Sequence, residues 1–242
     1  MTCCNGQTLS NKKIVVAVVH ARMGSTRFPG KMMELLGGYP VAEWVVRRTL
    51  RARGIDHFVL ATSDLPQDDM IVKLGERIGI TTFRGSNENV LQRVLGAAEQ
   101  FRADAVVRIC ADNPFIDPEL ISSLVADFRS NWCDYMFNHR PGLGLAIADG
   151  FGGEVFDVAV LRSIENRFEE PRYQEHLTLA FWEHEDIFTV RSLAPSPALA
   201  DSCLRFDVDA PNDLKYLNQL VEEGGLTMLS SAAQIMDIAR AT

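Results

Sequence analysis

Three cationic side chains lie within one short loop, residues 20–31, whose sequence is HARMGSTRFPGK. Arg22, Arg27 and Lys31 supply the charge, and the loop directly follows an apolar, strand-like run. It should therefore lie at the carboxyl end of a strand, where open α/β sheets bind their ligands. The members that add hydroxyls or backbone freedom are Gly24, Ser25, Thr26 and Gly30. This combination suits a polyphosphate, because glycines admit close approach and cations pair with phosphate oxygens.

Two common nucleotide-binding motifs do not fit this loop. A P-loop needs G-x-x-x-x-G-K-[ST], but Gly24 and Gly30 are one residue too far apart, and Met32 stands where the hydroxyl is required. The segment also lacks the G-x-G-x-x-G of dinucleotide-binding folds. The alternative is a solvated basic loop without a ligand. The unbroken passage from an apolar strand to cations and glycines favours the binding loop.

The elements that must position this loop alternate between strands and helices. Apolar β-branched runs predict strands, and amphipathic stretches predict helices. The expected strands are 14–20, 57–61, 81–83 and 105–109, and the expected helices are 41–53, 68–78, 88–101 and 117–129. In the first helix, Trp44, Val45 and Leu50 are expected to point inward and the arginines outward. This alternation predicts an α/β fold with a doubly wound, mostly parallel sheet.

The region 131–155 is less regular and rich in glycine, and we interpret it as a substrate loop or a hairpin that forms an acceptor-binding or dimer-forming region. Trp132, Phe137 and Phe151 are expected to present an apolar surface there, which suggests a homodimer. The later elements are expected as helices at 158–167, 173–184, 211–222 and 231–240 and as strands at 187–191 and 204–206. Residues 14–242 are predicted to form a single domain that follows a mobile leader, residues 1–13.

Two aspartates are expected at the ligand-binding edge of the sheet. Asp112 follows the strand at 105–109, and Asp209 lies between a strand-like segment and a helix start. Two carboxylates brought together repel each other unless a cation lies between them. Mg²⁺ suits such a pair, because it takes one or two protein carboxylates and completes its shell with water and phosphate oxygens. For each aspartate, capping of a loop or helix is the structural alternative.

The composition is that of a globular protein, with 47% hydrophobic and 23% charged residues. A formal net charge of -8 opposes nucleic-acid binding, whereas a local cationic cluster can still bind a small phosphate ligand. No apolar run approaches the roughly 20 residues that span a bilayer, and the first residues do not resemble a signal peptide. The cysteines, which form no C-x-x-C pair and are expected as reduced thiols, are Cys3, Cys4, Cys110, Cys133 and Cys203. We therefore expect a cytoplasmic protein without membrane contact.

Several motifs occur in the order found in a known enzyme family. R-x-x-S-T-R-x-P-G-K at 22–31 resembles the signature loop of the CMP-Kdo synthetases and the spore-coat polysaccharide (SpsF-like) cytidylyltransferases. Similar segments follow at 61–64, 83–86, 89–93, 108–117, 149–155, 175–176 and 207–214. The resemblance covers nearly the whole chain. It implies the nucleotide-diphosphosugar-transferase fold, a homodimer, and a nucleotidyltransferase that uses CTP in polysaccharide biosynthesis.

The resemblance also implies roles for individual residues. It assigns nucleotide binding to Ala21, Arg22, Met23, Gly24, Ser25, Thr26, Arg27, Lys31, Thr62, Ser63, Asp64, Arg84, Gly85, Arg108 and Ala111. It assigns Mg²⁺ binding to Asp112 and Asp209, and catalysis to these aspartates with Arg22 and Lys31. It assigns acceptor binding to Asn113, Glu154, Glu175 and His176. His176 has helix packing as its alternative, and Glu154 has an exposed strand position.

The chain departs from the family pattern at two positions. Gly152 stands where an acidic residue is usual, and Gln174 stands where an arginine is usual. These departures leave open whether the acceptor is changed or catalysis is weakened. His20, where many relatives have glutamine or proline, is interpreted as a packing residue at a strand end.

The implied reaction transfers CMP from CTP to a sugar acid, such as Kdo or a nonulosonic acid, with release of pyrophosphate. An acceptor oxygen attacks the α-phosphorus in line, while the cationic loop holds the β- and γ-phosphates and Mg²⁺ bridges the α-phosphate and the acceptor. Three alternatives stay open: another nucleoside triphosphate, a phosphonate acceptor, or a homologue with impaired catalysis. Comparing pyrophosphate release with four triphosphates would show whether another nucleotide is used. Tight Mg²⁺–CTP binding without turnover would indicate impaired catalysis.

Overall fold

The computed structural model describes residues 12–139, 147–194, 196–201 and 203–242. Within these residues, seven strands form one sheet and two short strands form a separate hairpin. The strands are β1 Val15–His20, β2 Leu35–Leu36, β3 Tyr39–Pro40, β4 His57–Ser63, β5 Thr81–Gly85, β6 Ala105–Cys110, β7 Tyr135–Phe137, β8 Glu154–Asp157 and β9 Val190–Ser192. The order in the large sheet is β5-β4-β1-β6-β8-β7-β9, and β2 pairs with β3.

The large sheet is mostly parallel. β1 pairs in parallel with β4 and with β6, so that His20 lies opposite Ala61 on one side and Cys110 on the other. β4 is parallel to β5, and β9 is parallel to β7. β8 runs antiparallel to both of its neighbours, β6 and β7. The parallel sheet predicted from the sequence is confirmed.

Helices cover both faces of this sheet. They are α1 Val41–Thr49, α2 Asp69–Ile78, α3 Val90–Glu99, α4 Pro118–Ser130, α5 Val158–Arg167, α6 Pro171–Glu175, α7 Leu179–Glu183, α8 Pro211–Gly224 and α9 Ala232–Ala241. Successive residues of a strand point to opposite faces. Val15, Ala17 and Val19 therefore pack in one layer with α1, α2 and α4, whereas Val16 and Val18 pack in the other with α3 and α5. This is the doubly wound arrangement that the sequence predicts.

A third apolar cluster joins the last two helices to the rest of the protein. Leu217 and Leu220 of α8 and Ile235 of α9 pack in the same cluster as Trp44 of α1 and Phe115. Phe115 belongs to the loop that follows β6. The carboxyl-terminal helices are thereby held against the ligand-binding edge of the sheet.

Three expected elements differ from the structure. The helix expected at 173–184 is divided into α6 and α7, because the backbone leaves the helical region at His176, with φ -111° and ψ 73°. Residues 204–206 form no strand; a single bridge joins Asp149 to Arg205. The region expected to be irregular contributes β7 and β8 to the sheet, and its residues 140–146 lie outside the described ranges.

The arginines of α1 were expected to point outward, but one of them is buried. Arg48 is 0% exposed, and its guanidinium donates to the carbonyls of Ile116 at 2.7 Å and Ser230 at 2.8 Å. Leu50, which was expected inside, is 39% exposed. A buried arginine is tolerated here because backbone carbonyls satisfy its donors.

The aromatic residues expected to form a dimer surface are not free to do so. Phe137 and Phe151 are 1% and 0% exposed, and Trp132 packs on Phe128 and donates from its indole to Asp157 at 2.6 Å. That prediction of an apolar surface is wrong, because these side chains complete the core. In the described ranges, no helix is long and apolar enough to cross a membrane. The thiols of Cys110, Cys133 and Cys203 are free, and Cys3 and Cys4 lie outside the described residues.

Candidate active site

A cleft of about 440 Å³ lies at the carboxyl ends of β1 and β6. This is the point where the chain order of the sheet changes direction, with β4 on one side of β1 and β6 on the other, and α/β sheets bind ligands at such points. The lining is dominated by cations and hydrogen-bonding groups. Its residues are His20, Arg22, Gly24, Ser25, Thr26, Arg27, Lys31, Met32, Val90, Arg93, Arg108, Cys110, Ala111, Asp112, Glu175, His176 and Asp209.

The loop after β1 is anchored by its own backbone and by a buried carboxylate. The N–H of Ala21 donates to the carbonyl of Ala61 at 2.9 Å, and the N–H of Met23 donates to Asp68 Oδ1 at 2.7 Å. The N–H of Gly30 returns to the carbonyl of Met23 at 3.1 Å, and Gly30 has a φ of 79°, which favours glycine. The loop therefore has a defined shape that presents its cations to the cleft.

The ammonium group of Lys31 lies between the two aspartates. Its Nζ donates to Asp112 Oδ2 at 2.9 Å, to Asp209 Oδ1 at 3.3 Å and to the carbonyl of Val208 at 2.7 Å. The N–H of Val208 donates to the carbonyl of Asp112 at 2.8 Å, which holds the two acidic segments side by side. Arg27 lies 3.1 Å from the second oxygen of Asp209. Residues separated by 178 positions thus meet at one point.

The carboxylates of Asp112 and Asp209 fit a divalent cation. Both lie within hydrogen-bonding distance of one ammonium nitrogen, so a single cationic centre can reach both. Mg²⁺ takes one or two protein carboxylates and completes its shell with water and phosphate oxygens. In the described part of the chain, no group of three or more His, Cys, Asp or Glu side chains is placed to hold a metal. Two carboxylates leave most of the coordination shell of such a metal to water and phosphate oxygens.

Two arginines of the cleft share one backbone acceptor. The Nη1 atoms of Arg22 and Arg93 both donate to the carbonyl of Asn87, at 3.1 Å and 3.3 Å. Arg22 also lies 3.9 Å from Glu175, which is half-exposed. Arg93 is 1% exposed, and burial together with the charge of Arg22 lowers its pKa to about 10. Two positive charges are thus held close together on one side of the cleft.

A third arginine, Arg108, is paired with a buried carboxylate. Its Nη1 donates to Glu154 Oε2 at 2.5 Å, and the hydroxyl of Tyr135 donates to Glu154 Oε1 at 2.7 Å. Burial opposes the ionisation of Glu154, but the charges of Arg108 and His139 and these hydrogen bonds outweigh it and lower its pKa. Glu154 therefore holds the guanidinium of Arg108 in place and balances its charge.

The floor between these groups is made by His20 and Cys110, on neighbouring strands. His20 Nε2 lies 3.2 Å from Cys110 Sγ. Burial lowers the pKa of His20 well below its ordinary value, and Arg108, Arg93 and Arg22 lower it further. Burial raises the pKa of Cys110 to about 12. Both groups are therefore neutral at pH 7, and Cys110 is a thiol rather than a nucleophilic thiolate.

The end of α6 closes the cleft on one side. Glu175 and His176 line it, at the point where the chain leaves the helix. The neighbouring Gln174 accepts a hydrogen bond from Asn89 Nδ2 at 2.7 Å and donates to the carbonyl of Phe168 at 3.0 Å. Gln174 thus ties α6 to the start of α3, and it does not line the cleft.

Comparison with known proteins identifies the family. A family model described as Cytidylyltransferase matches residues 16–149, which is more than half of the chain. The chain belongs to the cytidylyltransferase family. This cytidylyltransferase is therefore an enzyme, a nucleotidyltransferase, as the sequence predicts.

Similar proteins include members of the two groups that the sequence motifs resemble. The cytidylyltransferase is 29% identical over 229 residues to the spore coat polysaccharide biosynthesis protein SpsF of Bacillus subtilis, with 93% of each chain covered. It is 34% identical to a 3-deoxy-manno-octulosonate cytidylyltransferase of Trichlorobacter lovleyi, over 48% of this chain and 46% of that protein. In fold it is similar to a cytidylyltransferase from Leptospira borgpetersenii, with a TM-score of 0.87, 24% identity and coverage of 95% of this chain and 94% of that one. A synthetase of CMP:2-keto-3-deoxy-manno-octonic acid, complexed with CTP, has a TM-score of 0.67 at 17% identity, with 87% and 99% covered.

The fold of this cytidylyltransferase brings many of the expected site residues into the cleft. Those that line the cleft are Arg22, Gly24, Ser25, Thr26, Arg27, Lys31, Arg108, Ala111, Asp112, Glu175, His176 and Asp209. Those that do not line it are Ala21, Met23, Thr62, Ser63, Asp64, Arg84, Gly85, Asn113 and Glu154. Ala21 and Met23 lie in the loop itself, where their backbones fix its shape.

The site residues expected at the end of β4 and along β5 lie outside the cleft for structural reasons. Thr62 and Ser63 are 0% exposed, and the Ser63 hydroxyl donates to Asp68, the carboxylate that also anchors the loop. Arg84 pairs with Asp69 at 2.5 Å. Ser63 therefore supports the loop from behind through Asp68, and none of these three residues lines the cleft.

The acceptor-side expectations also change. Glu154 is 5% exposed and bonded to Arg108, so it is neither a free ligand nor an exposed strand residue. Gly152 has no room for the acidic side chain that the resemblance leads one to expect there, because a Cβ atom would lie 2.5 Å from Asn138 Oδ1 and from His139 Cβ. The glycine is therefore part of the local packing.

Sequence reasoning missed several residues of the lining, namely His20, Met32, Val90, Arg93 and Cys110. The interpretation of His20 as a packing residue is incomplete, since it lies on the floor of the cleft. One available signal was the pairing of the first and fourth predicted strands, which places their last residues together. Another was the helical spacing of Val90 and Arg93, which puts both on the same face of α3.

Proposed function

We propose that the enzyme transfers the CMP group of CTP to a hydroxyl of a small sugar acid and releases pyrophosphate, with Mg²⁺ as its metal. The nucleotide and the acceptor class come from the relatives, which include the CTP-bound synthetase and several 3-deoxy-manno-octulosonate cytidylyltransferases. The observation that carries the proposal is the meeting of the cationic loop with Asp112 and Asp209 in one cleft.

The loop is suited to the triphosphate. Gly24, Ser25 and Thr26 line the cleft between Arg22 and Arg27, so cations and backbone donors can act on the same anion. Phosphoryl-type transfers depend mainly on positioning and on charge stabilisation. Arg22 and Arg27 would hold the leaving phosphates and offset the negative charge that pyrophosphate carries away.

Asp112 and Asp209 would hold the metal. When bound, Mg²⁺ supplies Lewis-acid charge at the α-phosphate and at the acceptor oxygen. Lys31 contacts both carboxylates, so it holds them together, and it would add a cation beside the phosphates. A protein of related fold, Rv0371C from Mycobacterium tuberculosis, has been solved in complex with manganese, which supports the use of a divalent metal.

The chemistry needs no covalent enzyme intermediate. The acceptor oxygen forms a bond to the α-phosphorus, the bond from the α-phosphorus to the bridging oxygen breaks, and pyrophosphate leaves with the electron pair. The hydroxyl proton passes to water. Cys110 is the cysteine in the lining, and a thiol with a pKa of about 12 is a poor nucleophile, which supports direct transfer.

Pyrophosphate release tests the proposal. The enzyme is incubated with Mg²⁺ and CTP, UTP, GTP or ATP, each against a panel of sugar acids and phosphonates. We expect release only with CTP and a sugar acid, and loss of release when EDTA removes the metal. Equal release with another triphosphate, or release with phosphonates alone, would reject the substrate assignment.

The role of the aspartates is tested by substitution. D112N removes one carboxylate charge at the point where Lys31 lies, and we expect turnover to fall by about 10²- to 10³-fold. D237N, at an exposed position on α9, is the matched control and should retain turnover. Near-wild-type turnover of a folded D112N enzyme would rule out this role.

A further inference from the structure

Arg93 is a buried cation whose hydrogen-bonding capacity is only partly used. It lies in the first turn of α3, is 1% exposed and lines the cleft. Its Nη1 donates to the carbonyls of Ser86 and Asn87. Its Nε is buried and has no hydrogen-bond partner among the described residues. The buried N–H groups of charged side chains are normally hydrogen-bonded, so Arg93 Nε is available for an acceptor on a ligand.

The charges around Arg93 do not neutralise it. Within the described ranges, no carboxylate oxygen lies within 4 Å of its guanidinium, whereas Arg108 has Glu154 at 2.5 Å and Arg22 has Glu175 at 3.9 Å. Burial, Arg22 and Arg108 all act to lower its pKa, and they outweigh the opposite effect of Asp68 and Asp64. The local positive charge is therefore in excess.

Such an excess is suited to an anion that the substrate brings. A guanidinium has a planar set of donors that matches the oxygens of a carboxylate, phosphonate or phosphate, and the match is strengthened when water is excluded. Arg22 and Arg93 share the carbonyl of Asn87, which sets their guanidinium groups next to each other. One oxyanion can therefore contact both.

We propose that Arg93, together with Arg22 and Arg108, forms a subsite that binds an oxyanion, a carboxylate or phosphate group, of one of the two substrates. The inference rests on the proposed function and deepens it by assigning the recognised group. The carboxylates of Asp112 and Asp209 instead pair with Lys31, Arg27 and Arg205. The subsite therefore uses cations of the cleft other than those that pair with the two aspartates.

Binding measurements on the full chain test this subsite. R93M removes the charge and keeps an apolar stem, and R93K keeps the charge but loses the planar donors. R162M is the control, because Arg162 is an exposed residue of α5 that pairs with Glu99. The probes for calorimetry are CTP with Mg²⁺, pyrophosphate, cytidine and 3-deoxy-manno-octulosonate, and the KM of the sugar acid is measured in the pyrophosphate assay.

We expect R93M to weaken the binding of an anionic probe by about 10- to 100-fold, while cytidine binding and the R162M control stay unchanged. A loss confined to the sugar acid, with CTP retained, assigns the oxyanion to the acceptor. A loss on CTP and pyrophosphate assigns it to the nucleotide phosphates. R93K should recover part of the loss, and it serves as the test variant if R93M does not fold.

Two results would overturn the inference. One is wild-type affinity of folded R93M and R93K for every anionic probe. The other is a loss of cytidine binding with a gain in UTP use, which would make Arg93 a reader of the base. If the wild-type enzyme binds no CTP and releases no pyrophosphate, the proposed function fails. The role of Arg93 is then still tested by comparing how wild type and R93M bind the sugar acid and pyrophosphate.

Discussion

Lys31 offers the sharpest test of how the carboxylates are held together. K31M removes the ammonium group that donates to Asp112, Asp209 and the carbonyl of Val208, while a methionine stem of similar length keeps the apolar contacts. The two carboxylates then face each other without their cation. We expect the native state to lose stability, because the like charges repel and the carbonyl loses its donor.

The magnitude follows from the exposure of the three groups. Removing one partner of a fully buried ion pair costs about 3–5 kcal/mol. Lys31 is 8% exposed, but the carboxylates of Asp112 and Asp209 are 29% and 23% exposed, so water and salt recover part of the loss. We therefore expect K31M to lower the free energy of unfolding by about 1–3 kcal/mol.

Urea unfolding in the presence of EDTA measures this loss, with K73M as the control because Lys73 is an exposed residue of α2. Addition of Mg²⁺ should stabilise K31M more than the wild type, because the two carboxylates no longer share a cation, although Asp209 keeps its contact with Arg27, and because a cation that binds the native state shifts the unfolding equilibrium. If K31M and K73M unfold at the same urea concentration, the ammonium does not hold the carboxylates together and the reasoning fails.

Two further substitutions test the support of the cleft. G152D should lower the free energy of unfolding by about 1–3 kcal/mol, because its Cβ meets Asn138 and His139; unchanged urea unfolding would contradict the packing argument. E154Q leaves Arg108 without its counter-ion, and we expect a loss of about 3–5 kcal/mol at pH 7. The pKa of Glu154 is lowered in the folded state, so its stabilisation is present above the ordinary glutamate pKa and is lost as the pH falls through the lowered value. The difference between E154Q and wild type in urea should therefore shrink at acidic pH, and a constant difference would be inconsistent with this pairing.

The central part of the fold could be predicted because its signals are local. The apolar run at the first strand is buried on both faces, and Val15–His20 indeed lies inside the sheet. The helix expected at 117–129 begins at Pro118, where Asp117 caps it by accepting from the N–H groups of Glu119 and Leu120. The spacing of apolar residues and the helix caps both depend on residues close together in the chain, so a single sequence is enough to find them.

The errors come from contacts between distant residues. Arg48 has the composition of a surface position, but the carbonyls of Ile116 and Ser230 take up its donors and allow it to be buried. The helix expected at 173–184 has unbroken helical spacing, yet it ends at Glu175 and resumes at Leu179. We find no local sequence signal for that break. A hairpin was one of two interpretations of 131–155, and its strands β7 and β8 could not be located because they are only three and four residues long.

The candidate site divides in the same way. The cationic loop is contiguous, and its chemistry is evident from residue types alone. The meeting of Asp112 with Asp209 depends on the backbone bond from Val208, and it could be expected only from the family resemblance. Arg93 was missed as a site residue because an arginine in a helix is usually solvated, and only the fold shows that this one is buried in the cleft.

The charge of the cleft is opposite in sign to that of the whole chain, and this difference bears on what the enzyme selects. The chain carries a formal charge of -8, yet the cleft is lined by five arginines and lysines against three carboxylates. The cations still outnumber the acids when the buried Glu154 is counted, and His20 stays neutral because of its burial and its arginine neighbours. A confined positive field inside a negative surface attracts small anions that fit the cleft, whereas long polyanions also meet the repulsion of the surrounding surface. A nucleoside triphosphate and an organic acid satisfy both conditions, so the same balance of charge that disfavours nucleic acid favours the two substrates proposed for this enzyme.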